Sequence, residues 1–433
     1  MDNTTLYTAF RDTTLFFATI MLLKYTVFLL VAPFHRVKET LRTRRIVKNG
    51  NQDYQPLVSV VIPAWNEEVG IVSTIQSIVE NDYEKIEIVV VNDGSVDNTD
   101  KLIRSYRKKI TSTLKKSNKS LVYLPKENGG KGKALNHGIQ KATGEIIITM
   151  DADSIAHPEM VRRIVHYFAD DHVDAVVGNV KIAGEIGFIN LLQRLEYLFG
   201  FYHKRAHSVL GAEYIYGGAC AAFRHSAVFE PLGNFDTATM TEDIEMSMRT
   251  RYHGRTSVYA DDAICYTEGA SSVTSLLKQR LRWKKGRLEV FRKYKGLFFS
   301  LRARHNKWLT WFILPFALFG DIQLLFEPIG VTLLVVYSYI TGDYSSILLG
   351  AFFIGIMYII VGLFSERAQN WWLVPLFPFT WAMFYALVWI EYLALLKSLT
   401  VLVRDESIAW QKWQRKGVRI VQPKPAEALH EKS

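Results

Sequence analysis

The chain contains 433 residues, carries a formal net charge of +10 at pH 7 and is 49% hydrophobic by composition. Its apolar residues are concentrated at 15–34 and between 308 and 397, around a middle part with the composition of a soluble domain, which excludes a purely soluble protein. Basic residues cluster beside the apolar runs, so the charge favours anionic lipid headgroups over nucleic acid as a partner.

The run at 15–34 predicts a membrane anchor, although Lys24 interrupts it. One central Lys costs about 2.5–3.5 kcal/mol on insertion, whereas the Leu, Ile, Phe and Val residues contribute roughly 3–6 kcal/mol in favour. No cleavage motif follows, so the anchor is retained. Six basic residues follow it between 36 and 48, and only Arg11 precedes it. The positive-inside rule therefore places the chain after this 1–50 segment in the cytoplasm.

Residues 51–305 alternate between short β-rich runs and helical patterns, which predicts an α/β domain with a mostly parallel, doubly wound sheet. Helical patterns include 69–80 and 133–142. Ligands bind such sheets beyond the carboxyl ends of the strands. The predicted strands, apolar enough to be buried on both faces, are 57–62, 86–91, 121–124, 145–150 and 174–179.

Two later segments, 186–205 and 274–300, have apolar residues at helical spacing. Such stripes usually pack on a sheet. Because these two enclose site motifs and the second leads into the membrane part, we predict helices at the membrane interface.

The 306–400 segment is predicted to form a membrane domain from the apolar runs 308–320, 323–340, 346–364 and 371–397. The first run is short for a crossing and is followed by Gly320 and Asp321, so it is predicted to be either a crossing or a re-entrant segment. The 401–433 tail is basic near the membrane and is predicted to be cytoplasmic. Four or two crossings must then follow the soluble domain.

Two cysteines, Cys220 and Cys265, form neither a disulfide framework nor a metal-ligand spacing. We predict buried or incidental thiols, which are consistent with a reducing compartment.

Asp151 and Asp153 follow the predicted strand 145–150 at a spacing of two, so both carboxylates lie on one side. Hard oxygen ligands suit Mg²⁺ or Mn²⁺ held together with a diphosphate. The alternative is a solvated acidic loop.

Asp93 follows the strand 86–91. It is predicted either to form an Asx-type turn with Gly94 or to bind a nucleotide base or ribose. The Gly- and Lys-rich stretch 128–138 precedes a helix and suits phosphate oxygens, but it matches neither a Walker A loop nor a dinucleotide fingerprint.

Glu242 and Asp243 begin a predicted helix. They either complement the helix dipole or supply a general base.

Gln279, Arg282 and Trp283 lie at i, i+3 and i+4, so they share one helical face. As interface anchors, Arg282 and Trp283 would lie at the bilayer edge. As ligand-binding groups, an Arg suits a diphosphate and an indole suits a sugar ring. We assign Lys284 and Lys285 to the membrane surface.

Five motifs in this order resemble the processive inverting glycosyltransferases of family 2, which include cellulose, chitin and hyaluronan synthases. They are VSVVIPAWNEE (58–68), VNDGS (91–95), DAD (151–153), TED (241–243) and QRLRW (279–283). The stretches AAFRHSAV, TEDIEMS and QRLRWKKGRLEVF look most similar to bacterial poly-N-acetylglucosamine synthases. The chain departs from those synthases in having one predicted N-terminal span where they usually have two.

The resemblance implies a GT-A domain in an α-helical membrane protein of the cell membrane, which polymerises a UDP-sugar, most simply UDP-N-acetylglucosamine. It implies a growing polysaccharide as acceptor and Mg²⁺ or Mn²⁺ as cofactor. It leaves open whether a small accessory membrane protein is required. Alternatives are a hyaluronan-, chitin- or cellulose-type synthase, a non-processive transferase to a lipid carrier, and a non-enzymatic nucleotide sensor.

The resemblance also implies a role for each motif residue. Asp151 would contact the nucleotide and Asp153 the metal, with Asp243 as general base beside Glu242. Gln279, Arg282 and Trp283 would close over the diphosphate and the acceptor. The uridine pocket would be lined by Pro63, Asn66, Glu67 and Asp93, with Lys131 or Lys133 near it.

Overall fold

A computed structural model describes residues 16, 19–20, 23–184, 187–366, 371–404 and 417–418. Within them, eight strands form one sheet. The strands are β1 (Val58–Ala64), β2 (Ile86–Asp93), β3 (Lys119–Lys126), β4 (Ile146–Thr149), β5 (Ser154–Ala156), β6 (Ala175–Ala183), β7 (Ala221–Arg224) and β8 (Ser257–Glu268).

After a helical stretch over 23–31, the α-helices described up to residue 305 are α1 (His35–Lys48), α2 (Ile71–Val79), α3 (Thr99–Leu114), α4 (Lys131–Ile139), α5 (Met160–Phe168), α6 (Phe188–Val209), α7 (His225–Leu232), α8 (Glu242–Tyr252) and α9 (Val273–Lys293). The later ones are α10 (Leu314–Leu324), α11 (Glu327–Thr341), α12 (Ser345–Glu366) and α13 (Thr380–Val403).

The strand order is β3-β2-β1-β4-β7-β6-β8-β5. Pairing is parallel between β1 and β2, β1 and β4, β2 and β3, and β6 and β8. Strand β7 runs antiparallel to β4 and β6, and β5 runs antiparallel to β8. Six strands therefore share one direction, which confirms the predicted mostly parallel sheet. The sequence patterns did not predict β5, β7 and β8, of which β5 and β7 are too short to show a period.

Helices cover both faces of this sheet because its central strands are buried on both sides. On one face, Ile75 of α2 and Ile164 of α5 join a core that also contains Cys220 and Cys265. On the other face, Leu135 of α4 packs in a second core. Both cysteines are buried and free, as predicted.

Helices α6 and α9 lie between the sheet domain and the later apolar helices. Leu195 of α6 and Leu276 of α9 pack with Tyr358 of α12 and with Met383 and Leu387 of α13. Their apolar stripes therefore contact protein, and their location at a membrane interface stays a prediction.

Within the described residues, two helices are long and apolar enough to cross a membrane, at Ser345–Ser365 and Thr380–Val403. A third crossing is possible if the bent pair Leu309–Leu324 and Glu327–Thr341, which meets at 48°, forms one broken span. The bend lies at residues 325–326, after the 308–320 run, so the course of that run stays a prediction. The predicted anchor at 15–34 is helical over 23–31 and ends in a 3₁₀ turn at Ala32–Phe34. Its residues 15, 17–18 and 21–22 lie outside the described residues, as does most of the 401–433 tail.

Helix α9 approaches the start of α8 at Gly286. A Cβ at that position would lie 2.3 Å from Thr241 Oγ1 and 2.8 Å from Thr241 Cβ. Thr241 is buried and β-branched, so it has little freedom to move aside. The glycine thus sets the distance between the QRLRW helix and the acidic helix α8.

We predict that Gly286→Ala separates α9 from α8 and lowers the free energy of unfolding by about 1–3 kcal/mol, as overpacking does. The matched control is Gly200→Ala in α6, because no atom lies within 4 Å of its added Cβ. At position 200, the higher helix propensity of Ala should raise the free energy of unfolding by about 0.5–1 kcal/mol. Unfolding of both purified variants in one detergent measures the difference, and a stabilised Gly286→Ala would contradict the close contact.

Candidate active site

A pocket of about 530 Å³ lies at the carboxyl edge of the sheet, beyond the ends of β1, β2, β4 and β8. Residues of α4, α6, α8, α9 and α13 complete its wall. Ten of the predicted site residues line it: Pro63, Glu67, Asp93, Lys131, Asp151, Asp153, Asp243, Gln279, Arg282 and Trp283.

Three predicted residues lie outside this wall. Asn66 has a left-handed backbone conformation (φ 54°), and its side-chain oxygen accepts from the Val96 N–H at 2.8 Å, so it shapes a loop. Lys133 is exposed. Glu242 is buried directly behind the wall and pairs with Lys131. The structure therefore places Lys131, and not Lys133, in the pocket.

Lys131 is the cation at the centre of an acidic group. Its Nζ lies 2.6 Å from Asp151 Oδ1 and 3.2 Å from Glu242 Oε1. Burial by itself would lower the pKa of Lys131, but Asp151, Glu242 and Asp243 together outweigh it and raise the pKa above its usual value. The ammonium stays charged and compensates the three carboxylates.

Asp243 lies in the first turn of α8, where its Oδ1 accepts from the Ile244 N–H at 2.8 Å. Burial and the neighbouring Glu242 raise its pKa and Lys131 opposes the rise, which leaves the pKa at about 6. A carboxylate with that pKa is ionised at neutral pH and still basic enough to take a proton.

The Asp93 carboxylate, in the pocket wall, is bonded to backbone and side-chain groups of the protein. Its carboxylate accepts from the N–H groups of Gly129 and Gly130 at 3.0 and 2.8 Å and pairs with Lys126. The turn with Gly94 is therefore not how this carboxylate is used. The same contacts occupy two N–H groups of the 128–138 stretch, so the phosphate binding predicted for this stretch, which no observation tests, would use its other groups.

Asp151 and Asp153 both reach the pocket, and their oxygen atoms suit Mg²⁺ or Mn²⁺. Among the described residues, no group of three or more His, Cys, Asp or Glu side chains is arranged to hold a metal. The residues fit a cation that takes its remaining ligands from water and a bound phosphate group, which is the usual mode for Mg²⁺.

Among the predicted residues, Gln279 gives the clearest indication that a ligand binds in the pocket. Its Oε1 is buried and has no hydrogen-bond partner among the described residues. A buried acceptor without a donor costs about 1–3 kcal/mol, and a hydroxyl entering the pocket would satisfy it. Arg282 and Trp283, which follow Gln279 on the same helical face, also line the pocket.

Sequence reasoning missed several wall residues. A Cβ at Gly218 would lie 2.5 Å from Lys131 Nζ, so this glycine makes room for the ammonium. In the sequence, the pair of glycines at 217–218 was the feature that could have indicated it. The assignment of Lys284 and Lys285 to the membrane surface is wrong, since both are buried and Lys285 pairs with Glu289 at 3.2 Å. Other missed wall residues are Tyr197, Lys204, Thr267, Glu268, Arg280, Lys284 and Glu391.

Comparison with known proteins gives two family matches. Residues 146–403 match Glycosyl transferase family group 2, and residues 59–230 match Glycosyl transferase family 2. The first match spans more than half of the chain and includes the acidic and QRLRW motifs.

The chain is similar to the poly-beta-1,6-N-acetyl-D-glucosamine synthase of Staphylococcus aureus (strain COL), with 32% identity over 243 residues, 55% of this chain and 57% of that protein. It thus spans just over half the length of that relative. The synthase of Staphylococcus epidermidis is 27% identical over 79% of this chain and 81% of its own length. The fold is similar to that of the mannosyltransferase PcManGT from Pyrobaculum calidifontis, solved with GDP-Man and Mn²⁺ (TM-score 0.54, 20% identity, 88% of this chain and 99% of that chain).

We predict different outcomes for the two lysines that sequence could not distinguish. Lys131→Met leaves Asp151, Glu242 and Asp243 without their cation and should lower the free energy of unfolding by about 1–3 kcal/mol. It should also abolish binding of pyrophosphate to the pocket, because three uncompensated carboxylates repel it. Lys133→Met, at an exposed site, should leave stability within about 0.5 kcal/mol.

Thermal unfolding and calorimetric titration with pyrophosphate measure both effects. Equal results for the two variants would contradict the central place of Lys131.

Proposed function

Because the chain belongs to glycosyl transferase family group 2, we propose that it is a membrane-bound, processive, inverting glycosyltransferase. It polymerises a β-linked polysaccharide from a UDP-sugar, with UDP-N-acetylglucosamine as donor and poly-N-acetylglucosamine as product. The proposal rests chiefly on one observation: a single pocket joins Lys131, Asp151, Asp153 and Asp243 to the QRLRW residues beside the apolar helices.

In the proposed reaction, the donor diphosphate lies near Lys131 and Arg282, whose positive charges stabilise the negative charge that grows on it. The Asp243 carboxylate takes the proton from a hydroxyl of the acceptor sugar. The hydroxyl oxygen forms a bond to the anomeric carbon from the face opposite UDP. The bond from that carbon to the phosphate oxygen breaks, and UDP leaves with the electron pair.

Asp153 and Asp151 would hold a divalent cation, Mg²⁺ or Mn²⁺. When bound, such a cation supplies positive charge to the donor diphosphate. Pro63, Glu67 and Asp93 also line the pocket and would surround the nucleoside, and Asn66 would act by shaping the loop that contains it.

The acceptor end is proposed at α9. Trp283 would lie against the apolar face of the terminal sugar, and Gln279 would donate to and accept from its hydroxyls. Because α9 packs against α13, a chain extended here would pass between the later apolar helices. The basic segment after the anchor supports a catalytic domain in the cytoplasm and a multi-pass protein in the cell membrane.

Purified protein supplied with UDP-N-acetylglucosamine and Mg²⁺ or Mn²⁺ should make a long polymer. Asp243→Asn should reduce the rate by about 10²–10⁴-fold, the contribution of a general base, while UDP binding is retained. Gel sizing of radiolabelled product and calorimetry of UDP binding measure the two quantities. Each UDP-sugar is tested in turn, and linkage-specific hydrolases identify the polymer.

A product of one sugar on a lipid carrier would reject processivity, and a polymer made only from another UDP-sugar would reject the assigned donor. Normal rates in Asp243→Asn would reject the assigned base.

We also predict the pH dependence. A general base must be deprotonated, and burial together with Glu242 raises the pKa of Asp243 to about 6. The rate should therefore rise with pH through an acid limb near 6, where a solvated aspartate would give a limb near 4. Glu242→Gln removes the neighbouring negative charge and should move the limb to lower pH. Profiles of kcat/KM for both proteins measure this shift, and a limb that stays in place would exclude coupling between the two carboxylates.

A further inference from the structure

Three basic residues of α9 form a stripe that faces the apolar helices. Arg280, Lys284 and Arg287 are spaced by four and three residues, which places them on one helical face. All three line the pocket wall. Arg280 is 2% exposed, so its guanidinium depends on protein groups for compensation.

Acidic residues from three other helices meet this stripe. Glu391 lies in α13, a helix apolar enough to cross a membrane. Its two carboxylate oxygens lie 3.0 Å from Arg280 Nε and 2.9 Å from Lys284 Nζ. Asp321 of α10 pairs with Arg287 and lies 3.3 Å from Lys284. An acid in an apolar helix is expensive unless paired, and it usually marks a functional contact.

Arg280 has a second carboxylate and an aromatic ring as neighbours. Glu196 Oε2 of α6 accepts from its guanidinium at 2.5 Å. The guanidinium carbon lies 4.2 Å from the centre of the Trp283 ring, one helical turn along α9. At that distance the planar cation interacts with the face of the indole. Two carboxylates on different helices thus fix the group that contacts the indole.

We propose that Arg280 is a positioning residue, held by Glu196 and Glu391, which fixes the orientation of the Trp283 ring in the pocket. Glu391 of α13 pairs with Arg280, and Arg280 in turn contacts the indole of Trp283. The orientation of the acceptor platform therefore depends on how α13 docks on α9. This inference rests on the proposed function in giving Trp283 an acceptor sugar, but the Arg280–Trp283 contact is testable without activity.

The test labels the full-length protein with 5-fluorotryptophan and assigns the Trp283 signal in ¹⁹F spectra as the one absent from Trp283→Phe. Arg280→Lys keeps the charge between Glu196 and Glu391 but removes the planar face. We expect the Trp283 resonance to move by more than its line width, and polymer elongation to fall about tenfold. That factor corresponds to about 1.4 kcal/mol, between the values for an exposed and a desolvated cation–π contact. The KM for the donor should not change. Glu391→Gln should move the same resonance in the same direction.

The matched control is Asp170→Asn, which removes a buried carboxylate from Arg42 and Arg45 (3.6 and 3.3 Å) outside the pocket wall. It should leave the Trp283 resonance and the elongation rate unchanged. An unmoved resonance in both Arg280→Lys and Glu391→Gln would overturn the proposal, as would an equal movement in Asp170→Asn. If the wild-type protein makes no polymer from any UDP-sugar, the proposed function fails, while the resonances still decide the positioning role.

Discussion

Charge compensation around the Lys131 ammonium is the constraint on which the site depends. Asp151 follows β4, Glu242 and Asp243 begin α8, and Lys131 begins α4, so four charged groups from three places in the chain converge at one sheet edge. Without the cation, burial and repulsion by Glu242 would drive the Asp243 carboxylate further towards its neutral form. With it, Asp243 keeps a pKa of about 6, which suits a group that must be ionised at neutral pH and yet accept a proton.

Helix α9 connects this site to the later apolar helices through two kinds of contact. At Gly286 it comes close to Thr241, immediately before the acidic turn of α8. On its other side it presents basic residues to Glu391 and Asp321. Steric contact sets its distance from the carboxylates, and ion pairing sets its contact with the apolar helices. The positions of Gln279, Arg282 and Trp283 on α9 therefore depend on its contact with α8 and on its contact with the apolar helices.

Local patterns predicted the parts that local physics controls. Five apolar runs became strands of one mostly parallel sheet, because a segment buried on both faces must be apolar throughout. Polar clusters after those strands met at one edge, because parallel strands end together. The patterns did not distinguish Lys131 from Lys133, since both follow the glycines 129–130 and only the packing of α4 turns one of them inward. They also misplaced Lys284, because its partners Glu391 and Asp321 lie far along the chain.

The sequence by itself determined the strand composition, the carboxylate pairs, the helical face shared by Gln279, Arg282 and Trp283, and the apolar helices, since each depends on residue types at short spacing. Only the tertiary structure decided which charged side chains come into contact, and with which groups. It bonded Asp93 to the Gly129–Gly130 backbone, surrounded Lys131 with acids, and brought Glu391 to Arg280. Electrostatic energies depend on distance and burial in three dimensions, and neither can be read from spacing along a chain.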